Sequence, residues 1–390
     1  MSSTTQHLLL SPAELAYLHS TLRLTPPVRP DGRTATQFRP LTAETGVLPG
    51  ANGSARVCFA DGTEAIVGVK AEVEKRARVS YLDYFYENKE LRRKQKGGGG
   101  REQAEEENEV VEEGKDGGSG AGSNDWVEIT VEIPGYRDDD SSTVFLATML
   151  SEALLADGEF TQKLRINRRF HWKLYIDIIL ISPPLSYPLP LLSLTTHLAL
   201  LATRLPRLKS EADEDPMFDD DWAASQFIYP RKAGVLSSRP PVTLLVMAVG
   251  DNIIFDPSKE ELAVADTALA VSVGERLSPM DESQEAMDVD GEVGSSRQLR
   301  LLSVRTIDPP SRLTAPGVPN AVNAAAWGQS AGAAKDPGAR AAETDNVEGV
   351  WKAPRGGAKM AVLGAMVQKV LEKGGVADEV LEGLDAVDLG

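Results

Sequence analysis

Cysteine and histidine are scarce in this sequence, and their scarcity limits the chemistry that it can support. A single cysteine, Cys58, excludes an internal disulfide and a cysteine-cluster zinc site. The few histidines have no metal-ligand spacing, so we expect neither a bound metal nor another cofactor. They are His7, His19, His171 and His197.

Long apolar runs are absent as well. Proline, threonine or histidine interrupts every run before it reaches the roughly 18–20 residues that a membrane helix needs. The first residues lack the basic start and apolar stretch of a secretory signal. These absences predict a soluble protein of a reducing compartment, cytosolic or nuclear, with no membrane partner.

Negative charge is abundant but unevenly placed. The 390 residues carry a net charge of −17, which at first disfavours a nucleic-acid partner. Residues 102–116, 211–222 and 281–292 carry −7, −7 and −6, so the rest of the chain carries +3. The charge therefore belongs to three surface segments, and the slightly basic remainder is compatible with RNA. We expect the acidic segments to face away from any RNA, or alternatively to bind basic partners.

Strong local patterns define the first elements. Ser11-Pro12-Ala13-Glu14 predicts a capped helix start, and the helix should end before Thr25-Pro26-Pro27. Asp61-Gly62 predicts a hairpin between strands at 55–60 and 65–73.

The rest of the chain alternates between helical and strand patterns. A helix over 143–156 carries an apolar stripe, and Lys173–Ile181 has the apolar content of a strand buried on both faces. The order of elements indicates an α+β fold made of two duplicated units, with helices on one side of mostly mixed sheets. The stripe contains Phe145, Leu146, Met149, Leu150, Ala153 and Leu154. Further strands are predicted at 126–133, 242–249, 252–255, 268–273 and 301–306, and further helical segments at 191–205, 358–373 and 376–384.

Segments poor in apolar residues divide the chain. Residues 87–125 are rich in glycine and glutamate, and we expect a disordered insertion that lengthens a hairpin loop. In the predicted organisation, an N-terminal helix and arm (1–28) precede a main domain (29–275). The main domain has two halves, 29–209 and 240–275, with an acidic linker (210–222) between them, and the second half continues to 300–306. The remaining segments are an acidic loop (276–298), a low-complexity loop (307–350) and a C-terminal helical region (351–390).

Common catalytic motifs are missing. The glycines at 97–100 lack the strand and the Lys-Ser/Thr of a phosphate-binding loop, and no Gly-x-Ser-x-Gly elbow occurs. Asp256 and the acids of Lys259-Glu260-Glu261 could form paired carboxylates for acid–base or metal chemistry. The simpler interpretation, which we favour, is a helix start whose acids complement the helix dipole.

A basic run is the main sign of a nucleic-acid surface. The run from Lys163 to Lys173, which contains Arg165, Arg168 and Arg169, combines cations with aromatic residues, as on surfaces that bind phosphates and bases. The alternative is a solvated loop in which Phe170 and Trp172 are the first buried residues of a strand, and local sequence favours that alternative.

Several motifs in a fixed order resemble ribonuclease PH-type domains. The resemblance spans about residues 10–275 without the insertion at 87–125, does not cover 307–390, and is greatest to ring subunits of the eukaryotic RNA exosome core. Leu10-Ser11-Pro12-Ala13-Glu14 and Gln37-Phe38-Arg39-Pro40 favour one ring subunit over its sister subunits. The shared motifs are Arg29-Pro30-Asp31-Gly32-Arg33, Asn52-Gly53-Ser54-Ala55-Arg56-Val57, Asp61-Gly62-Thr63, Val67-Gly68-Val69-Lys70-Ala71-Glu72, Lys173-Leu-Tyr-Ile-Asp177-Ile, Ala202-Thr203-Arg204-Leu205-Pro206 and Asp256-Pro257-Ser258 with Glu261.

The resemblance implies a duplicated two-layer β/α fold, and six such domains forming a ring around a pore for single-stranded RNA. Active members degrade RNA from the 3′ end with inorganic phosphate as nucleophile. The implied partners are other ribonuclease PH-type subunits, as a heterodimer within the six-membered ring, S1/KH-type cap subunits and single-stranded RNA. The implied locations are the nucleus, the nucleolus and the cytoplasm.

This sequence departs from the active pattern at three places. Pro188 stands where active members have a phosphate-binding arginine, and Leu262 stands at the second of two aspartates, the first of which matches Asp256. The helix over 143–156 lacks arginines near its start. We therefore expect no catalytic residues and a non-enzymatic subunit, with Arg165, Arg168 and Arg169 as RNA contacts. The alternative is an active phosphate-dependent 3′-to-5′ exoribonuclease.

Overall fold

The first half of the chain forms a five-stranded sheet. The computed structural model describes residues 10–75, 122–137, 139–210, 214–230, 238–275, 298–307, 351 and 358–389. The strand order is β1-β2-β3-β5-β4, in which β4 runs parallel to β5 and all other neighbours are antiparallel. The strands are β1 (Leu41–Thr45), β2 (Gly53–Phe59), β3 (Glu64–Lys75), β4 (Val127–Glu132) and β5 (Phe170–Leu180).

A short two-stranded ribbon leads to a second, four-stranded sheet. The ribbon pairs β6 (Arg204–Leu205) with β7 (Gln226–Phe227). The second sheet has the order β11-β10-β8-β9 and is antiparallel throughout. Every residue of β8 (Val242–Val249) is buried, so both faces of this strand are covered. Its strands are β8 (Val242–Val249), β9 (Asn252–Phe255), β10 (Thr267–Glu275) and β11 (Leu299–Ile307).

One helix joins the two sheets. All residues of this helix, α4 (Leu189–Leu201), are buried, and it packs against β2 and β3 of the first sheet and β8 of the second. Apolar side chains such as Leu194 and Leu198 are completely buried there. The helices are α1 (Pro12–Leu22), α2 (Ser141–Leu155), α3 (Glu159–Lys163), α4 (Leu189–Leu201), α5 (Lys259–Leu262), α6 (Met360–Val370) and α7 (Val376–Asp385). In the part of the chain that the structure describes, no helix has the length and apolar character to cross a membrane.

The predictions that rest on short stretches of adjacent residues, the capped helix start and the Asp-Gly hairpin, are confirmed. The amide of Ser11 donates to Glu14 Oε2 at 2.7 Å, and the Glu14 amide donates to Ser11 Oγ at 3.3 Å, which is the predicted capping box. The helix ends at Leu22, before the prolines. The Asp61-Gly62 turn joins β2 to β3, with Gly62 at φ +83°, a backbone angle that favours glycine.

Three expectations are wrong, each because it concerned contacts with distant parts of the chain. The insertion does not lengthen a hairpin loop, since β5 lies between β3 and β4. β5 is not buried on both faces, because its later residues alternate between buried and exposed. Phe145 of the predicted stripe is 42% exposed, whereas the other stripe residues are buried.

Several predicted segments lie outside the described residues. These are 76–121, which holds most of the predicted insertion, together with 276–297 and 308–350. The last residues of the insertion are described, and a short 3₁₀ helix, Asn124–Trp126, leads directly into β4. The described end of the acidic linker, 214–222, folds back along 204–209.

Candidate functional site

Asp256 lies at the centre of a buried cluster of arginines. Its side chain is 1% exposed, and Arg33 Nη1 donates to Oδ2 at 2.8 Å. Arg39 donates three times, from its amide and Nε to Oδ2, both at 2.9 Å, and from Nη2 to Oδ1 at 2.7 Å. Burial alone would raise the pKa of Asp256, but these hydrogen bonds and the charges of Arg39 and Arg33 hold it below its ordinary value.

A second buried ion pair supports this cluster. Arg29 Nε and Nη2 donate to Glu261 Oε1 and Oε2 at 2.7 and 2.8 Å, and both side chains are fully buried. Arg29 also donates to the carbonyl oxygens of Phe255 and Asp256. A bidentate pair of this kind fixes both direction and distance. It therefore ties the arm before β1 to the segment after β9.

The prediction that Asp256 begins a helix is wrong. Ser258 is the residue that caps α5, and it forms a capping box with Glu261. Asp256 has φ +46°, a left-handed conformation that is unusual for a residue other than glycine. Its backbone is thus shaped to direct the carboxylate at Arg33 and Arg39.

The turn before α4 meets Asp256 through Arg39. Arg39 Nη1 donates to Ser186 Oγ at 2.8 Å and pairs with Asp61 at 2.5 Å. The two regions that the family resemblance connects with catalysis are therefore brought together in this fold. Arg39 lies between Asp256 and Ser186, with its guanidinium 4.5 Å from the centre of the Phe59 ring.

The residues at the expected catalytic positions offer little to a phosphate. Pro188 is the capping residue of α4 and has no amide hydrogen to donate. Leu262 is 4% exposed and packs in the hydrophobic core. The start of α2 is capped by Asp140, which accepts from the Ser142 amide at 2.9 Å, so an acid occupies the helix end where a bound anion would need donors.

The predicted RNA contacts share one exposed turn between α3 and β5. Asn167 Oδ1 accepts from the amides of Arg169 and Phe170, and this closes the turn. Arg165, Arg168 and Arg169 are all exposed on it. The turn precedes β5 while Ser186 follows it, and the eleven residues of the strand span about 35 Å. The structure thus groups the three arginines together but not with Asp256.

The simpler interpretation of the basic run is confirmed for its aromatic residues. Phe170 and Trp172 are each 8% exposed, so they are the first buried residues of β5. The arginines beside them are exposed, and their contact with RNA stays a prediction.

An acidic segment lies against the same turn. Asp215 Oδ1 is 2.9 Å from Arg169 Nη2, and Asn167 Nδ2 donates to the Glu214 carbonyl at 2.9 Å. The Phe218 ring packs on Trp172 with 4.9 Å between ring centres, which anchors the segment. The acidic linker was expected to face away from RNA, but its described part lies beside the predicted RNA contacts.

Sequence reasoning missed the roles of Arg29, Arg33, Arg39 and Glu261. The three arginines belong to motifs that are visible in the sequence, around Pro30-Asp31-Gly32 and Phe38. Their partners lie more than 200 residues away along the chain, as with Arg29 and Glu261, so spacing could not reveal the pairs.

Comparison with known proteins identifies the family. Residues 37–114 match the family model described as the 3′ exoribonuclease family, domain 1. The exosome complex component RRP42 of Saccharomyces cerevisiae is 30% identical over 269 residues, which cover 67% of this chain and 81% of that protein. The rrp42 component of Schizosaccharomyces pombe is 30% identical over 281 residues, covering 68% and 78%. This chain belongs to the Rrp42 family of exosome components.

Membership in the Rrp42 family confirms the predicted fold class. The two sheets with α4 between them are the duplicated β/α arrangement of a ribonuclease PH-type domain. The subunit favoured by the motifs around Glu14 and Arg39 was Rrp42, ribosomal RNA-processing protein 42, and that expectation is confirmed.

Solved structures are also similar to this Rrp42 family member. An archaeal exosome core chain has a TM-score of 0.42 at 19% identity, with 75% of this chain and 84% of that chain covered. A chain of the Archaeoglobus fulgidus exosome with RNA bound to the active site has a TM-score of 0.45 at 17% identity, with 85% and 92% covered.

Proposed function

We propose that this chain is a non-catalytic subunit of an RNA exosome ring, which supports 3′-to-5′ RNA processing and degradation by scaffolding and by guiding RNA. Its partners would be other ribonuclease PH-type subunits in a six-membered ring, S1/KH-type cap subunits and single-stranded RNA. The observation that carries the proposal is the state of Asp256, whose carboxylate is buried and already accepts four hydrogen bonds.

Phosphorolysis requires groups that this site does not offer. A general acid must hold a proton near neutral pH, but the lowered pKa of Asp256 keeps its carboxylate charged. A metal-binding role would need free lone pairs, and both oxygens of Asp256 are engaged by arginines. At the second acidic position Leu262 is apolar and buried, so it supplies neither function.

One observation favours the alternative of an active exoribonuclease. Arg39 reaches Ser186 in the turn before α4, so a cation does approach the place where active members hold phosphate. Asp61 and Asp256 already neutralise this arginine, which leaves less positive charge for an anion.

An assay of phosphate-dependent RNA degradation tests the proposal. The purified chain should release no nucleoside diphosphates from a 3′-labelled single-stranded RNA when phosphate is added, whereas an active ribonuclease PH enzyme in the same buffer should. Release that Asp256→Asn abolishes, with an unchanged circular dichroism spectrum, would show that the chain is an enzyme.

We further propose that the protein acts in the nucleus, the nucleolus and the cytoplasm, on ribosomal RNA precursors and messenger RNA. This extends the exosome relationship to the places where such RNA is processed. Imaging of a fluorescently tagged chain beside a nucleolar marker checks it, and exclusion from the nucleus would contradict it.

Reversing the charge of Arg168 and Arg169 together should weaken RNA binding by the assembled ring. Their contacts would be to phosphates, so we expect about a tenfold loss of affinity at low salt for every base sequence. The slope of log affinity against log salt should fall by about 1.4, since each single-strand phosphate contributes about 0.7. Fluorescence anisotropy with a labelled RNA measures both quantities.

The matched control is Arg137→Glu with Lys373→Glu, which changes the charge equally at exposed sites outside the turn. If both double variants bind RNA like the unchanged ring, then Arg168 and Arg169 are not RNA contacts.

Neutralising Asp215 should have the opposite effect on RNA affinity. Asp215→Asn removes a negative charge that pairs with Arg169 and competes with phosphate for it. The pair is exposed and is worth at most about 1 kcal/mol, so we expect an increase of up to about fivefold. Asp219→Asn is the control, because Asp219 pairs with Lys209 in the same segment. An equal increase in both variants would mean that only net charge matters.

A further inference from the structure

β4 is an edge strand of the first sheet in the part of the chain that the structure describes. Its only neighbour in the described part of the chain is β5, so the backbone groups on its other side have no strand partner there. Natural edge strands are often blunted by charged side chains, above all lysine, by proline or by a bulge. The sequence of β4, Val-Glu-Ile-Thr-Val-Glu, contains no lysine or proline, its only charges are Glu128 and Glu132, and its ladder with β5 is regular from Val127 to Glu132. Such an edge can accept another strand.

A groove runs along this edge, between β4 and α2. Its volume is about 1050 Å³, and both elements contribute apolar and small polar side chains to it. Val144 of α2 is 52% exposed there, although it is large and apolar. The groove wall is formed by Ile129 and Val131 on β4, and by Val144, Ala147, Thr148 and Ser151 on α2. An extended chain lying along β4 would therefore cover apolar surface as well as backbone.

The charge of the groove indicates what kind of chain would fit. Five acids and one lysine line it. Lys173 is within 3.4 Å of Glu128, and Arg305 pairs with Glu152, so these acids are partly compensated. The acids are Asp125, Glu128, Glu132, Glu152 and Asp177. The excess of negative charge would repel an RNA backbone and attract a cationic peptide.

The alternation along β4 refines this description. Glu128, Thr130 and Glu132 lie on one face of the strand, and Ile129 and Val131 lie on the other, towards α2. A strand added beside β4 places its own alternate side chains next to these two sets. Cations would then lie beside the glutamates, and apolar residues would lie beside Ile129 and Val144.

We propose that the groove between β4 and α2 binds an extended segment of a partner protein, in which lysine or arginine alternates with apolar residues, by strand addition to β4. Backbone hydrogen bonds would supply affinity, and the alternating side chains would supply specificity. The proposal does not depend on whether the chain is an enzyme or contacts RNA.

A labelled peptide of repeating Lys-Val-Lys-Thr, with eight to ten residues, is the probe for a titration of the full chain. We expect saturable binding, weakened at least tenfold by Glu128→Lys with Glu132→Lys. Glu379→Lys with Glu382→Lys on exposed positions of α7 changes the net charge equally and should leave binding unchanged. Hydrogen exchange of the amides in 127–132 should slow when the peptide binds.

The same peptide with N-methyl groups at alternate residues separates strand addition from charge attraction. It keeps its charges but cannot donate the backbone hydrogen bonds, so it should bind at least tenfold more weakly. Equal binding of both peptides, equal losses in the two charge variants, or no saturable binding would each overturn the proposal.

Discussion

Asp256→Ala should lower the free energy of unfolding by about 3–5 kcal/mol, because it removes the buried carboxylate that Arg33 and Arg39 share and leaves them only the partly exposed Asp31 and Asp61. Arg33 and Arg39 have side chains only 8% and 10% exposed, so water cannot replace the lost carboxylate. Urea unfolding followed by tryptophan fluorescence measures the change. A loss under about 1 kcal/mol would mean that water reaches these arginines.

Two matched variants separate the charge of Asp256 from its backbone strain. Asp256→Gly removes the carboxylate but adopts φ +46° freely, so it should be about 1 kcal/mol more stable than the alanine variant. Asp256→Asn keeps the shape of the side chain and tolerates the left-handed conformation, and it should lose mainly the charge.

The effect of Asp256 should also depend on pH in a defined direction. The pKa of Asp256 is lowered in the folded protein, so the unfolded chain takes up its proton first as the pH falls. The stabilisation is therefore complete above the unfolded pKa of about 3.9 and is lost as the pH falls through the lower folded value. The difference between the unchanged chain and Asp256→Asn should stay constant from neutral pH to about pH 5, then shrink.

Gly53→Ala should be the second strongly destabilising change, by about 3 kcal/mol or more. A methyl group at Gly53 would lie 2.5 Å from the Cα atom of Thr203 and 2.8 Å from the carbonyl oxygen of Ala199, at the end of α4. Backbone atoms cannot rotate away. Asn52 holds β2 against the same segment. Its Nδ2 donates to the backbone carbonyl of Arg204 at 3.2 Å, and its backbone carbonyl accepts from the Arg204 amide.

Gly364→Ala is the control for this substitution. Gly364 lies within α6 and has open space around it, so an alanine there should stabilise the helix by up to about 1 kcal/mol. Thermal unfolding of the two variants should shift in opposite directions. If Gly53→Ala unfolds like the unchanged chain, β2 and α4 can separate more easily than their contacts indicate.

The sequence predicted what neighbouring residues determine. The capping box at Ser11 and the hairpin at Asp61-Gly62 need only a few adjacent positions, and both are correct. Strand order is different, because nothing in the residues of β3 and β4 indicates that a later strand, β5, inserts between them. The same reason explains the exposed Phe145, since an apolar stripe does not specify how much of it a sheet will cover.

The candidate site was only half predictable. The family motifs correctly indicated that Asp256 and the turn at Pro188 belong to one region. Asp256 pairs with Arg33 and Arg39, which lie 223 and 217 positions away along the chain. Because the sequence does not show these pairs, Asp256 could be mistaken for the start of a helix. The contact of the acidic segment with Arg169 could not be predicted either, because a count of charges does not reveal where a linker folds back.

The burial of α4 has a consequence for any attempt to divide this protein. The helix precedes the acidic linker in the chain, yet β8 from beyond the linker covers it as β2 and β3 do. A fragment ending at the linker would expose the side of α4 that β8 covers, and a fragment beginning there would leave β8 without α4. Neither half contains a complete hydrophobic core, so the two halves distinguished in the sequence should be expressed, purified and unfolded as one indivisible unit.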